Sequence, residues 1–211
     1  CPGRLSRMPA SQSEGTWVSR VLLFGGSFNP VHHGHLRLAV EALEQFAFDQ
    51  VWLIPSGTPP HRQAYSQEPE HRARMLELAV ADHSQITVCR HELDSDQVNY
   101  TYNTVCQLAA LWPDHRFSFL TGLDVVYDYK WRNFEELLEQ VEHFLVASRP
   151  GYEFHQLLEK LTGTRHLTKL SELQVPLHQV SSSLIRERLR QKRSIHYWVP
   201  EPVRVYIENQ G

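Results

Sequence analysis

Val21-Leu22-Leu23-Phe24-Gly25-Gly26-Ser27-Phe28-Asn29-Pro30-Val31-His32-His33-Gly34-His35-Leu36, running on into Arg37-Leu38-Ala39-Val40, decides how this chain folds. Val21 to Phe24 are four apolar residues in a row, which reads as a short buried strand. Gly25 and Gly26 follow at once, where the backbone must turn sharply or approach something closely. Pro30 blocks regular pairing. Leu36, Val40, Leu43 and Phe46 then recur on one face of a helix. Strand, glycine loop and helix in this order bring backbone N–H groups and a helix N-terminus to one point, where a phosphate can bind.

His32 and His35 add chemistry to that point. Three residues apart at a helix start, they share one face. Both imidazoles can donate to phosphate oxygens, and Gly34 between them leaves room for a ligand. A metal pair would want further Cys, His or carboxylate ligands close by, and the loop offers none. Two ordinary surface histidines are the plainer alternative in a chain with 13 of them. The signal becomes specific because the strand, both glycines, the proline and both histidines occur together.

Outward from this stretch, strands and helices alternate. Val51 to Ile54, Ile86 to Cys89, Phe117 to Leu120 and Phe144 to Ala147 read as further strands, and Leu177 to Val180 as another short one. Residues 70–82 read as a helix with Met75, Leu76, Ala79 and Val80 inward. Thr101 or Asn103 is placed to cap a helix carrying Val105, Leu108 and Leu111. Phe134, Leu137, Leu138 and Val141 mark another. This alternation predicts an α/β, doubly wound, mainly parallel sheet covered on both faces, a Rossmann-like arrangement. In such sheets ligands sit beyond the carboxyl ends of the strands, so the loops at 25–35, 55–62, 121–124 and 148–151 should share one edge.

The C-terminal third carries a second anion signal. Ser181-Ser182-Ser183 precede the apolar helical run Leu184-Ile185-Arg186-Glu187-Arg188-Leu189. A single serine there would only cap the helix. Three serines, the free N–H groups of a first turn and Arg186 can converge on an anion.

The composition limits the alternatives. The 211 residues, 41% hydrophobic and 21% charged, suffice for one compact domain. Residues 1–16 are rich in Pro, Gly, Ser, Gln and Arg and read as a disordered leader or an expression remnant, with 17–211 as the single domain. The net charge of −3 does not favour general nucleic-acid binding. Nothing approaches the roughly 18 consecutive apolar residues of a membrane span. Three scattered cysteines, Cys1, Cys89 and Cys106, form no Cys-X-X-Cys motif, and a reducing cytoplasm is the simplest setting.

Gly25 to Leu36 resembles the signature of the nucleotidyltransferase superfamily with the His-X-Gly-His motif, and Ser181-Ser182-Ser183 with Arg186 resembles its second signature. Within that superfamily the chain resembles the nicotinate mononucleotide adenylyltransferase family over roughly residues 20 to 208. Tyr100-Thr101-Tyr102-Asn103-Thr104, Gly122-X-Asp124, Trp131 and Ser148-Arg149-Pro150-Gly151-Tyr152 fall in that family's order. So do residues 194–200 and the short helix over Val203 to Ile207.

The resemblance implies a Rossmann-like nucleotidyltransferase fold and adenylyl transfer from ATP to a pyridine mononucleotide in NAD biosynthesis. It places His32 and His35 on the ATP phosphates and the transition state. Gly25, Gly26, Ser27 and Phe28 would offer backbone contacts to ATP. Ser182, Ser183 and Arg186 would hold the β and γ phosphates. Gly122, Asp124 and Arg149 would complete the ATP site, with Gly122 and Asp124 at the ribose. Thr101 and Trp131 would receive the acceptor, Trp131 by stacking on the pyridine ring. Mg²⁺ would bridge phosphates and keep several waters, with no protein ligand assigned. Neither nucleic acid nor membrane is an expected partner, and homo-oligomerisation stays open.

Ser27 and Asn29 stand where bacterial nicotinate enzymes usually carry Thr and Asp, and Leu123 replaces the usual small residue. Nicotinate mononucleotide is the expected acceptor. Dual or nicotinamide specificity, a sister transferase acting on pantetheine phosphate, and a non-catalytic nucleotide-binding regulator are the alternatives.

Overall fold

The computed structural model describes residues 18–57, 68–95, 98–129, 131–175 and 180–210. Six strands form one sheet in the order β3-β2-β1-β4-β5-β6, every neighbouring pair parallel. They are β1 (Ser19–Gly26), β2 (Gln50–Pro55), β3 (Ile86–Val88), β4 (His115–Gly122), β5 (Phe144–Ala147) and β6 (Leu170–Leu173). The helices between them are α1 (His33–Phe46), α2 (Pro69–Ala79), α3 (Thr101–Leu111), α4 (Leu123–Asp128), α5 (Phe134–Gln140) and α6 (Phe154–Lys160). Then follow α7 (Ser182–Arg190) and α8 (Glu201–Gln210). This is the doubly wound fold expected from the alternation of strands and helices.

The alternation of side chains along β1 explains the two layers. Leu22 and Phe24 join Val51 and Leu53 of β2 on one face, under Ala39, Ala42 and Leu43 of α1, Met75 and Leu76 of α2, Ile185 of α7 and Val203 of α8. Val21 and Leu23 join Trp52 and Ile54 on the other face, under Val105 and Leu108 of α3, Val126 of α4 and Leu137 and Leu138 of α5. With both faces covered, the central strand must be apolar throughout, which is why β1 stands out in the sequence.

Several local readings need correction. Tyr100, not Thr101 or Asn103, is the N-cap of α3; its carbonyl already accepts from the Thr104 N–H at 3.1 Å, so the helix begins one residue earlier. Leu111 is 60% exposed. Trp112, partly buried, packs against that core instead, edge-on to Trp52 at 5.0 Å. The edge strand β6 and the short helices α4 and α6 are additions to the sequence reading, although Phe154, Leu157, Leu158 and Leu161 mark the inward face of α6. Of the strand expected over 177–180, residues 177–179 lie outside the described residues, as do the leader over 1–16 and residues 58–62 of the second loop. No helix among the described residues is long and apolar enough to cross a membrane.

Candidate active site

After β3 the chain crosses to the other side of β1 to lay down β4, so β1 and β4 flank the point where strand order reverses. Helices leave on opposite faces there and open a crevice. A cavity of about 800 Å³ occupies it, within the usual range for a ligand site. Gly25, Gly26, Ser27, His32 and His35 line it, together with Gly122, Asp124, Arg149, Ser182, Ser183 and Arg186. So do Thr101 and Trp131. Phe28 does not: its side chain is fully buried beneath the loop, so only its backbone is available to a ligand.

The glycine loop is held by its carbonyls. Ser56 donates its N–H and its hydroxyl to Gly26 O, at 2.8 and 3.1 Å. Arg72 Nη1 donates to Ser27 O at 3.0 Å, Arg186 Nη1 to Asn29 O at 2.5 Å, and Ser182 Oγ to Pro30 O at 2.8 Å. In a trans peptide the next residue's N–H points opposite the carbonyl. Anchoring these oxygens therefore turns the N–H groups of Ser27, Phe28 and Val31 away from the anchors, as donors for an anion. Phe28 itself has φ +45°, an uncommon conformation for a bulky residue. Its ring lies so close under Gly26 that a Cβ there would sit 3.0 Å from it, and a Cβ on Gly25 would sit 2.9 Å from Phe119.

His32 is the N-cap of α1 and His35 its third residue. Their rings stack with centroids 3.7 Å apart, as the spacing predicted. Gly34 allows this, since a Cβ there would meet His32 Nδ1 at 3.0 Å. His35 Nδ1 accepts from the His32 N–H at 3.3 Å. That bond puts the proton of a neutral His35 on Nε2 and leaves Nε2–H as its donor. Phe28 and Phe24 pack edge-on against the same ring, at 4.9 and 6.2 Å. Burial, with the charges of Arg149 and His33 adding to it, holds His32 down at about 3. Burial, then His32 and Arg149, hold His35 well below the ordinary histidine value. Both rings are therefore neutral donors near pH 7.

The serines divide their work. Ser181 caps α7, its hydroxyl accepting from the Leu184 N–H at 3.2 Å. The Ser182 hydroxyl donates to Pro30 as above, and the Ser183 hydroxyl accepts from Arg186 Nη2 at 3.1 Å. Their hydroxyls are thus engaged with protein groups rather than pointing together at one spot. The first-turn amides of Ser182 and Ser183 have no intrahelical acceptor, and both residues line the cavity. Opposite them, Arg149 Nε lies 3.5 Å from Asp124 Oδ1, an oxygen that is buried and accepts no hydrogen bond. Gly122 is needed beneath it, because a Cβ would come within 2.3 Å of that oxygen.

The far wall comes from α3 and the segment after α4. Trp131 lines the cavity and is also anchored: its Nε1–H donates to Val125 O at 3.2 Å, and Phe119, Phe134 and Phe144 pack edge-on around it at 5.5–6.1 Å. Glu92, unread in the sequence, braces this wall. It accepts from Thr104 Oγ1 at 2.8 Å and from the Gly57 N–H at 3.3 Å, while Asn99 Nδ2 donates to its carbonyl at 3.0 Å. Burial pushes its carboxyl up from the ordinary value. Arg72 is a second brace that the motifs do not mark; its signal is its spacing, three, four and seven residues before Met75, Leu76 and Ala79, on the buried face of α2. Its side chain is 1% exposed.

Among the described residues no group of three or more His, Cys, Asp or Glu is placed to hold a metal. Amides, imidazoles and guanidinium groups make up the donor set, which suits phosphate. It fits a cation carried in on phosphate oxygens better than one held by the protein.

Comparison with known proteins agrees with this geometry. The cytidylyltransferase-like family model matches residues 23–188. The probable nicotinate-nucleotide adenylyltransferase of Geobacillus thermodenitrificans is 40% identical over 196 residues, 92% of this chain and 86% of that one. Its Bacillus mycoides counterpart is 37% identical over 92% of this chain and 98% of its own. The nicotinic acid mononucleotide adenylyltransferase of Plasmodium falciparum, solved with NaAD, shares the fold with a TM-score of 0.72. That match has 20% identity and covers 91% of this chain and 96% of that one. With a family model spanning β1 to α7 and relatives of this identity over nearly the whole length, the chain belongs to the cytidylyltransferase-like nucleotidyltransferases, among the nicotinate-nucleotide adenylyltransferases.

Proposed function

We propose that the protein transfers the adenylyl group of ATP to nicotinate mononucleotide, releasing pyrophosphate and forming nicotinate adenine dinucleotide for NAD biosynthesis. The observation that carries this reading is one cavity with two unlike ends. His32, His35, the glycine loop, the α7 amides and Arg186 form an anion end, and Thr101 and Trp131 form an aromatic end.

The acceptor's 5′-phosphate is ionised at neutral pH, so its oxygen attacks the α-phosphorus without a general base. The O–P bond to the acceptor forms as the bond to pyrophosphate breaks. Catalysis is then positioning and charge stabilisation. His35 Nε2–H and the loop amides donate to phosphoryl oxygens as charge builds there. Arg186 and the Ser182 and Ser183 amides hold the departing pyrophosphate, and the Asp124 carboxylate, which lines the cavity, accepts from a ribose hydroxyl. Mg²⁺, arriving on the phosphates, would neutralise part of their charge.

Incubation with ATP, Mg²⁺ and each pyridine mononucleotide tests the reading. A kcat/KM about tenfold or more higher for the nicotinate form is expected, since an amide NH₂ set against donors leaves both unsatisfied at a cost of ~1–3 kcal/mol. Equal values, or a higher one for the amide, would sink the nicotinate assignment.

Trp131→Ala should raise the acceptor KM about tenfold through lost stacking and leave the KM for ATP nearly unchanged. It should also lower the melting midpoint, because the same indole fills an aromatic cluster. Trp131→Phe should recover most of both. An unchanged acceptor KM beside a lower melting midpoint would leave the indole a packing role only.

A further inference from the structure

Tyr100 and Thr101 open α3, while Trp131 and Arg132 follow α4 about thirty positions later, and all four line the same end of the cavity. Arg132 spans the gap, its guanidinium carbon 4.8 Å from the centre of the Tyr100 ring. This is a cation–π contact, which orients a guanidinium without neutralising it.

The other two lining arginines are committed elsewhere. Arg149 lies beside Asp124, and Arg186 is bonded to Asn29 and Ser183, both at the phosphate end. Among the described residues Arg132 has no carboxylate partner. Glu92, the acidic side chain that braces this wall, has its oxygens on Thr104 and Gly57. The first-turn amides of α3 add their own partial positive charge there.

We propose that Arg132 is a specificity-determining residue that selects an acceptor bearing a carboxylate on its aromatic ring over the corresponding amide. This rests on the adenylyl-transfer reading above and adds to it the side chain that reads the ring substituent. Held over Tyr100 and next in sequence to the residue proposed to stack on the ring, the guanidinium is within side-chain reach of that substituent. A planar fork of donors matches a carboxylate on two bonds, whereas an amide offers one acceptor and brings its own N–H groups against the fork. The side chain is exposed at the cavity mouth, so the attraction is partly screened and its effect should fade with salt.

The test uses the full chain and the variants Arg132→Met and Arg132→Lys, with nicotinate and nicotinamide mononucleotides as probes. Arg132→Met should lower kcat/KM for the nicotinate form about tenfold and change the nicotinamide form less than about twofold. Arg132→Lys should restore part of the ratio. Raising the salt from ~0.05 to ~0.5 M should narrow the wild-type ratio and leave that of Arg132→Met flat. Calorimetric titration of each mononucleotide reads the same ratio without turnover. If no dinucleotide forms, the reaction reading fails while the binding ratio still decides the role of Arg132. Equal losses for both acceptors would assign the guanidinium to their shared 5′-phosphate and overturn the proposal. An unchanged ratio would leave it only a cover for Tyr100 and overturn it as well.

Discussion

Replacing His35 by alanine should lower kcat by about 100-fold or more, the usual cost of losing a donor that acts on the transition state. The His32 N–H bond to Nδ1 leaves a neutral His35 with Nε2–H as its donor, and the depressed basicity keeps it a neutral donor rather than a counter-ion. A donor fixed in a dry wall needs no reorganisation when charge develops, which is the reason its loss falls on kcat. Location in a ligand loop suggests a mutation without structural cost, but the ring packs on Phe24, Phe28 and His32. Some loss of melting temperature should therefore accompany the loss of rate. His35→Gln separates the two effects, since it keeps an N–H donor in much of the same space. Its kcat should lie between wild type and alanine. A fully active His35→Ala enzyme would remove the residue from the mechanism, and equal rates for Gln and Ala would make it a packing residue.

What was readable in the sequence follows from how each feature is stabilised. β1, the glycine loop and α1 were plain because a strand buried on both faces must be apolar throughout, and the helix beside it must repeat its apolar face. β6, Leu-Ser-Glu-Leu at the sheet edge, buries only Leu170 and Leu173, too little to form a pattern. α6 carries the same spacing as α5, Phe154, Leu157, Leu158 and Leu161 against Phe134, Leu137, Leu138 and Val141, and packs on the same core, so it was open to the same reading; α4, of six residues, is too short to repeat its pattern. The glycines, histidines, serines and Arg186 that gather at the cavity were legible because those types at those spacings suit phosphate binding. The groups that hold the loop were not. Ser56 and Glu92 act on backbone atoms or on residues distant in sequence, and nothing local marks them; Arg72 was marked only by its place on the buried face of α2, which does not say what it binds. Arg132 escaped for the same reason: its partner Tyr100 lies 32 positions away, and only the fold brings them together. Asn29, noted in the sequence only as a departure from the usual bacterial pattern, supplies a carbonyl that Arg186 binds.

Acidification should destabilise the fold steeply, and the histidine pair should account for much of the slope. His32 has an ordinary value of 6.5 and is held at about 3 in the folded protein; His35 is shifted in the same direction. Below pH ~6.5 the unfolded chain takes up protons at both rings while the folded chain does not. Stability therefore falls as pH drops, by about 1.4 kcal/mol per pH unit for each ring that stays neutral. For His32 this window runs from 6.5 down to about 3; above 6.5 neither ring contributes any slope. Two rings acting together reach nearly ~3 kcal/mol per unit, a large share of the ~5–15 kcal/mol that holds a domain folded. Other histidines and the carboxylates titrate over the same range, so the measurement is a difference. Denaturant unfolding of wild type and of a His32→Asn, His35→Gln double variant is compared at pH 7, 6 and 5. The variant should lose stability less steeply, so the gap between the two narrows or reverses on acidification. Parallel curves would mean that the rings protonate freely in the folded state. Bound phosphates oppose the penalty, because their negative charge favours the protonated rings. ATP should therefore stabilise wild type more at pH 5.5 than at 7.5, with proton uptake on binding that the double variant lacks. Binding heats collected in buffers of different ionisation enthalpy would count those protons, and equal uptake in both proteins would place the titrating groups outside the histidine pair.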